Sequence, residues 1–366
     1  MANFALLKKW LSSTEKSAAK DNLYISSTNA MSIHFRVLGA AGRDNALLVQ
    51  VDSGQAVEKL LFDCGDGCLS ELSFAEIQSL DHLFFSHLHM DHVGGFDTFF
   101  RCTFNRNTRL NHIWGPPQAI RIMQHRFQGF LWNLHEQMAA TWLVSDINPN
   151  EIDTERFELR EAFAVGHDEG TQPFKQTILE GTGFSVEAVT MDHRTPTLAY
   201  VVREKPRRNI DTSRLSSLGL RPGPWLKQLK ESSDDSGSVV IDGVTHSMGE
   251  LRETLMAETS GDSVAYLTDF LLDEMAIERL VKALQGCRVI VCEGQYRHSD
   301  SELARKNFHM TTVLSATLAK RAQAEELLLF HVSDRYRPAE WLEMLQEARE
   351  VFPNTHYPSH WSLLAT

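Results

Sequence analysis

Residues 86–95 read Ser86-His87-Leu88-His89-Met90-Asp91-His92-Val93-Gly94-Gly95, placing three histidines and a carboxylate within six positions. Imidazole nitrogen and carboxylate oxygen are the donors that zinc accepts from protein. The apolar run Leu83-Phe84-Phe85 predicts a buried strand that ends just before them, so His87 and His89 fall on the loop leaving it. Two residues apart, their side chains can converge on one cation, and Asp91 and His92 follow about one turn later. Four such groups exceed what one catalytic zinc takes from protein, which points to two ions. A polar loop with backbone-capping histidines is the bland alternative in a chain of 16 histidines, but three histidines and an aspartate at this spacing favour the metal reading.

Further candidates stand at the ends of predicted strands. Lys59 to Phe62 runs into Asp63-Cys64-Gly65-Asp66-Gly67, a turn able to bring Asp63 under the histidine loop or merely to bond its own backbone. Phe184 to Val189 alternates like a strand and delivers Asp192-His193. Ser263 to Leu267 leads to Thr268-Asp269, Val289 to Cys292 to Glu293, and Leu327 to Phe330 to His331. His309 stands in Asn307-Phe308-His309-Met310-Thr311-Thr312, just before a helical pattern. Taken singly, each of these is more often a packed or solvated side chain than a ligand.

The elements that must position these groups alternate between periods of two and 3.6. Ala46 to Val51 and Lys59 to Phe62 predict a hairpin; Phe96 to Cys102, Ala119 to Phe127, Glu274 to Leu284 and Thr312 to Ala324 predict helices. That alternation indicates an α/β fold. At 366 residues, with 42% hydrophobic and 23% charged content, the chain can bury an extensive core. Residues 1–30 look like an appendage, and an alternative start at Met31 would leave a complete domain over 31–366. Residues 103–180 form a long intervening region whose aromatics, Trp114, Phe127, Phe130, Trp132 and Trp142, are mostly expected in the core; Ser145 to Gly170 within it is acidic. No apolar run approaches a membrane span and no export-signal layout is seen, so a cytoplasmic protein is expected. Five cysteines without a CxxC pair argue against a disulfide framework or a thiolate zinc ribbon.

The net charge of −12 excludes a wholly basic nucleic-acid footprint, but charge is segregated. Within 203–230, Arg203, Lys205, Arg207, Arg208, Arg214, Arg221, Lys227 and Lys230 face only Glu204 and Asp211, a net +6 that leaves −18 on the rest. This stretch is the expected RNA-binding arm, stiffened by Gly219-Leu220-Arg221-Pro222-Gly223-Pro224, with Glu231 to Gly237 as a polar linker back to the body. A solvated basic loop is the alternative.

The ordered series FDCGDG, SHLHMDHVGG, MDHRTPTLAYVV, YLTDF, EGQY, HMTT and FHVSDRY, over about residues 32 to 355, resembles the ribonuclease Z family of the metallo-β-lactamase superfamily. The resemblance implies a four-layer αββα sandwich with two zinc ions per chain, other divalent metals being admitted. It implies that His87, His89 and His193 hold one ion, that Asp91, His92 and His331 hold the other, and that Asp269 bridges them. It further implies precursor tRNA as partner, an arm that grips it, and a homodimer. Two motifs depart from the family. The first loop, Gly39-Ala40-Ala41-Gly42-Arg43 with Asn45, is interrupted by Asp44 and is short, and Cys292-Glu293-Gly294-Gln295 keeps only the acid of the usual His-Glu-Ala-Thr. In mechanism, Asp91 is expected to orient the attacking water, and His309, oriented by Glu293, to protonate the departing ribose oxygen. The leading reading is thus a zinc endoribonuclease cutting precursor tRNA on its 3′ side. A phosphodiesterase acting on a smaller nucleotide or other diester is second. An RNA-binding protein with a degraded centre is third, and the presence of all seven ligands argues against it.

Overall fold

The computed structural model describes residues 33–231, 236–259 and 261–363. The expected appendage at 1–30 and the alternative start at Met31 lie outside the described residues. The first sheet has eight strands in sequence order: β1 (Ile33–Leu38), β2 (Ala46–Asp52), β3 (Val57–Phe62), β4 (His82–Phe84), β5 (Asn111–Gly115), β6 (Thr141–Ile147), β7 (Glu151–Glu158) and β8 (His167–Pro173). β3 pairs β2 antiparallel, as the hairpin pattern requires, and β4 parallel. The second sheet begins with β9 (Thr177–Glu180), β10 (Phe184–Asp192) and β11 (Pro196–Glu204). An excursion then carries β12 (Arg207–Ile210), β13 (Ser238–Ile241), β14 (Val244–Ser247) and β15 (Met256–Thr259). The second sheet is completed by β16 (Ser263–Leu267), β17 (Val289–Glu293), β18 (Glu326–Phe330) and β19 (Thr355–His356), in the order β19-β18-β17-β16-β11-β10-β9.

Alternation along the strands builds the layers. Ile33, Phe35 and Val37 of β1 and Leu60 and Phe62 of β3 point into a core shared with Val186, Tyr200, Tyr266 and Val291 of the second sheet. Their neighbours, Leu38 and Leu61, point the opposite way, into a core with Phe96, Phe99 and Phe100 of the helix Phe96–Thr103 and Met123 and Phe127 of the helix Ala119–Phe127. On the far face of the second sheet pack the helices Glu274–Leu284, Thr312–Arg321 and Pro338–Val351. This is the αββα sandwich expected from the motif series. Residues 103–180 widen the first sheet, and Trp114, Phe127 and Trp142 are buried there as expected, while Phe130 is 44% exposed.

The arm differs from its expected limits. Glu231 to Gly237 does not lead back to the body: β12 pairs with β15, and Leu215, Trp225 and Leu229 share a small core with Ile241, Met248, Leu251 and Leu255. The excursion therefore leaves the second sheet after Glu204 and rejoins it at about Asp262, where Glu204 N donates to Asp262 O at 2.8 Å. Its second half, 231–262, carries eight carboxylates against Arg252 alone, so the basic stretch is one side of a nearly neutral unit. Arg203 is not an arm residue. It ends β11, with Nε 3.4 Å from Glu187 Oε1 and a guanidinium bond to Ala283 O, because its register with Ser263 fixes it to the body. Lys205, at the root, pairs with Glu180 at 2.5 Å. Arg214, Arg221, Lys227 and Lys230 are exposed on the arm itself. Arg207 and Arg208 lie on β12, with side chains outside the described residues.

Candidate metal centre

Parallel pairing of β3 with β4 carries the chain ends Asp63 and Ser86 to one edge. There Asp63 turns left-handed (φ 59) and its N donates to Phe84 O at 2.7 Å. The buried Asp63 carboxylate accepts from Ser86 N and Ser86 Oγ at 2.7 Å and from Tyr266 OH at 2.8 Å, and it meets His92 Nδ1 at 2.7 Å. Asp63 thus fixes the ring of His92 and presents Nε2 to the site, the usual role of a carboxylate behind a ligating histidine. The turn Met90–Val93 is clamped by Cys64 N donating to His92 O and Gly95 N to Cys64 O, both 2.8 Å. Only glycine fits that clamp, since a Cβ at Gly95 would lie 2.3 Å from Gly65 O.

The remaining ligands arrive from the second sheet. His193 follows β10 and is held by Nδ1 bonding Phe308 O at 2.8 Å. Asp269 follows β16, is 2% exposed, and has its amide held by Glu293 Oε2 at 3.1 Å. His331 follows β18, its amide donating to Asn45 Oδ1 at 3.3 Å.

These side chains form the two groups expected. His87, His89 and His193 present donor atoms within 4.8 Å of one another, as do Asp91, His92, Asp269 and His331. Asp269 lies between them: Oδ2 is 3.5 Å from His92 Nε2, 3.8 Å from His87 Nε2 and 3.9 Å from His193 Nε2, and Oδ1 is 3.3 Å from His331 Nδ1. Asp91 Oδ2 is 3.5 Å from His92 Nε2 and 3.7 Å from His331 Nε2. The fit to cations is tested by the His92 Nε2 atom, which is buried without a hydrogen-bond partner. It is further tested by His87 Nε2 and His89 Nδ1, which face each other at 3.0 Å. Buried polar atoms require partners, and a divalent ion held by these residues would supply one to His92 Nε2.

The electrostatics divide the ligands: His87 is held neutral, while the carboxylates draw a proton onto His92 and His331, which a bound cation would replace. Burial, then the neighbouring His92, holds the His87 imidazole well below its ordinary value, so it is neutral and able to ligate. Burial would do the same to His331, but Asp269 and bonds to Asp91 and Glu293 outweigh it and push it up to about 10. Asp269 is held well below the usual carboxylate range: burial opposes ionisation, and His331 and His92 overcome it.

His309 and Glu293 complete the site. Glu293 is fully buried, accepts Met310 N at 2.6 Å, and meets His309 Nδ1 at 3.1 Å. His309 is therefore oriented with Nε2 away from the carboxylate, and its ring centroid lies 4.9 Å from that of His193. Burial lowers its proton affinity, while the charge and bond of Glu293 raise it by more. Asp269, Glu293, His309 and His331 also group within 4.8 Å, so His309 stands close enough to the centre to compete for a ligand role. Every sequence-derived ligand, with His309 and Glu293, is thus brought together, and the basic arm belongs to a separate unit. Sequence reasoning missed Ser86, Tyr266 and Asn45 as supports. Tyr266 had a signal, being three residues before Asp269 in a strand.

Comparisons with known proteins place this geometry. The family model described as anti-Pycsar protein Apyc1 matches residues 40–193. The chain is 48% identical over 325 residues to a ribonuclease Z of Deinococcus radiodurans, covering 89% of this chain and 97% of the relative. Among solved structures, the metallo-β-lactamase fold protein YhfI of Bacillus subtilis is similar at TM-score 0.52 and 16% identity, over 89% of this chain and 95% of that one. The short form of human tRNase Z is similar at TM-score 0.50 and 18% identity, over 82% and 93%.

Proposed function

This chain belongs to the ribonuclease Z family, and from that premise we infer a phosphodiester hydrolase that cuts precursor tRNA on its 3′ side with two zinc ions per chain. The observation that carries the reading is the pair of ligand groups joined at Asp269, with His309 held beside them by Glu293. Bound zinc would lower the pKa of water to about 7 and offset charge on phosphoryl oxygens, which suits an anionic diester. The chain's own residues do the rest. Asp91 is the ligand with the most exposed carboxylate, 45% accessible, and is placed to accept a hydrogen bond from the attacking water. Asp63 and Tyr266 keep His92 from turning. His309 donates its proton to the ribose oxygen that leaves, so that no alkoxide is released.

Among the described residues no helix is long and apolar enough to cross a membrane, and a cytoplasmic homodimer is the assembly we propose. The dimer is favoured by exposed Leu131 and Leu134 beside Phe130. A second reading, a phosphodiesterase for a smaller nucleotide, is favoured by the short first loop. Incubating the zinc-loaded protein with a precursor tRNA and mapping both product ends decides between them. A 3′-hydroxyl on the tRNA and a 5′-phosphate on the trailer support the endoribonuclease, and an intact precursor alongside turnover of mononucleotide diesters supports the second reading.

A further inference from the structure

Two guanidinium groups stack on aromatic rings next to His309. Arg194, directly after His193, lies over the ring of Phe308 with Cζ 4.9 Å from the centroid. Arg335, four residues after His331, lies over Tyr296 at 5.3 Å, and the Tyr296 ring is 5.9 Å from that of His309. Both arginines are exposed, and among the described residues neither forms an ion pair with a carboxylate. A third stacked arginine shows the contrast: Arg297, over Tyr336, is neutralised by Asp300 at 3.0 Å and Glu340 at 3.4 Å. Stacking fixes the plane of a guanidinium and leaves N–H groups along its edge for an anion, the arrangement suited to recognition of phosphate.

The side of the scissile bond follows from His309. A proton donor must face the leaving oxygen, so Tyr296, with its ring 5.9 Å from that of His309, and Phe308 directly before it lie toward the nucleoside that leaves. The other charged linkage of that nucleoside is its 5′ phosphate. We propose that Arg194 and Arg335 form a subsite for the 5′ phosphate of the nucleotide on the leaving side, a proposal that rests on the reading of His309 as donor to a ribose oxygen. The backbone of both arginines is already anchored, Arg194 N donating to Asp192 Oδ1 at 2.8 Å and Arg335 N to Ser333 Oγ at 3.3 Å, while one guanidinium nitrogen of Arg194, Nη2, is held by Lys306 O at 2.6 Å. The subsite gives the centre a reason to favour a polynucleotide over a small diester, since only a chain carries a second phosphate.

The test compares two dinucleotides, one with and one without a 5′ phosphate, as competitive inhibitors of bis(p-nitrophenyl) phosphate hydrolysis by the zinc-loaded full chain. Each protein's ratio of the two inhibition constants is the readout, so changes in its overall rate cancel. The wild-type protein should bind the phosphorylated form roughly tenfold more tightly, the scale of one exposed charge-assisted contact. Arg335→Ala and Arg194→Ala should each lower the ratio to about two or three, and the double variant to about one. Arg194→Ala also loses the bond to Lys306 O, so Arg335→Ala alone keeps the test decisive if the former misfolds. A wild-type ratio near one, or a full ratio in the double variant, overturns the subsite. Precursor tRNA is tested in parallel: failure to cut it with the ratio intact refutes the substrate reading and supports the subsite.

Discussion

Replacing His309 with alanine separates proton donation from metal chemistry, because the need for a donor depends on the leaving group. A ribose oxygen leaves poorly as an alkoxide, whereas p-nitrophenolate leaves unaided. His309 Nδ1 is held at 3.1 Å by the buried Glu293, which fixes Nε2 as the donating atom and whose charge raises the proton affinity of the ring. A positioned general acid contributes about 10² to 10⁴-fold, or roughly 3 to 5 kcal/mol of barrier. His309→Ala should therefore lose about that factor in kcat/KM on RNA, retain its zinc, and lose under about tenfold on bis(p-nitrophenyl) phosphate. Glu293→Gln should show the same pattern more weakly and carry a pH signature. The raised proton affinity of His309 sustains the protonated form as pH rises, so removing the charge of Glu293 should move the alkaline limb of the RNA profile to lower pH. Equal losses on both substrates, or zinc lost from His309→Ala, would refute the donor role. Loss of zinc would make His309 a ligand, in line with its grouping with Asp269 and His331.

Further outcomes follow from the same geometry. Purified protein should carry close to two zinc ions per chain by elemental analysis, and Asp269→Ala should lose both metal and turnover, because its carboxylate faces nitrogens of both groups; one tight ion with full activity in the intact chain would defeat the two-metal account. Replacing 205–262 with a short Gly-Ser bridge between Glu204 and Ser263 should weaken RNA binding and flatten its salt dependence, measured by titration at several ionic strengths; unchanged affinity and slope would reduce the arm to a solvated excursion. His82 is pulled down to about 4 by burial and accepts from Trp114 Nε1 at 3.3 Å. A depressed histidine stabilises fully above its unfolded value of about 6.5 and loses that stability as pH falls toward 4, at most about 3 kcal/mol. Metal-free His82→Gln should therefore show a smaller drop in melting temperature between pH 7 and 4.5 than metal-free wild type, and an unchanged drop would sink the assignment.

The strands that end in ligands were legible because each is a short apolar run followed at once by a polar residue, as in Ser263–Leu267 before Asp269. The helix Glu274–Leu284 was legible to the residue from its 3.6 period, helped by Asp273, whose side chain caps Ala276 N. The arm was legible only in its charge. Its true extent depends on β12 meeting β15, a pairing across roughly fifty residues that local pattern does not encode, and on Trp225 and Leu229 finding Leu251 and Leu255. Arg203 was misplaced for a related reason: charge alone marks a stretch, and only strand register shows that this cation belongs to the body.

Backbone conformation at the ligands was equally hidden. Asp63, Asp269 and His331 each sit just beyond a strand end at φ 59, 53 and 50, a left-handed conformation that costs a non-glycine residue about 1 to 2 kcal/mol. Glycine would relieve that cost, but each position needs its side chain at the centre. The conformation is instead held by a specific acceptor for each amide: Phe84 O for Asp63, Glu293 Oε2 for Asp269 and Asn45 Oδ1 for His331. Two of these acceptors come from the motifs that depart from the family. Glu293, retained in Cys292-Glu293-Gly294-Gln295, holds the amide of Asp269 as well as the ring of His309, so it couples bridge and donor through one carboxylate. Asn45, retained in the shortened first loop, also donates Nδ2 to Leu38 O and Ala40 O at 3.2 Å, tying the loop's two ends to the amide of His331. The departures therefore fall on residues that do not hold ligand amides: Asp44, which interrupts the first loop, instead accepts from Asp66 N at 3.0 Å, and the centre's geometry is left intact.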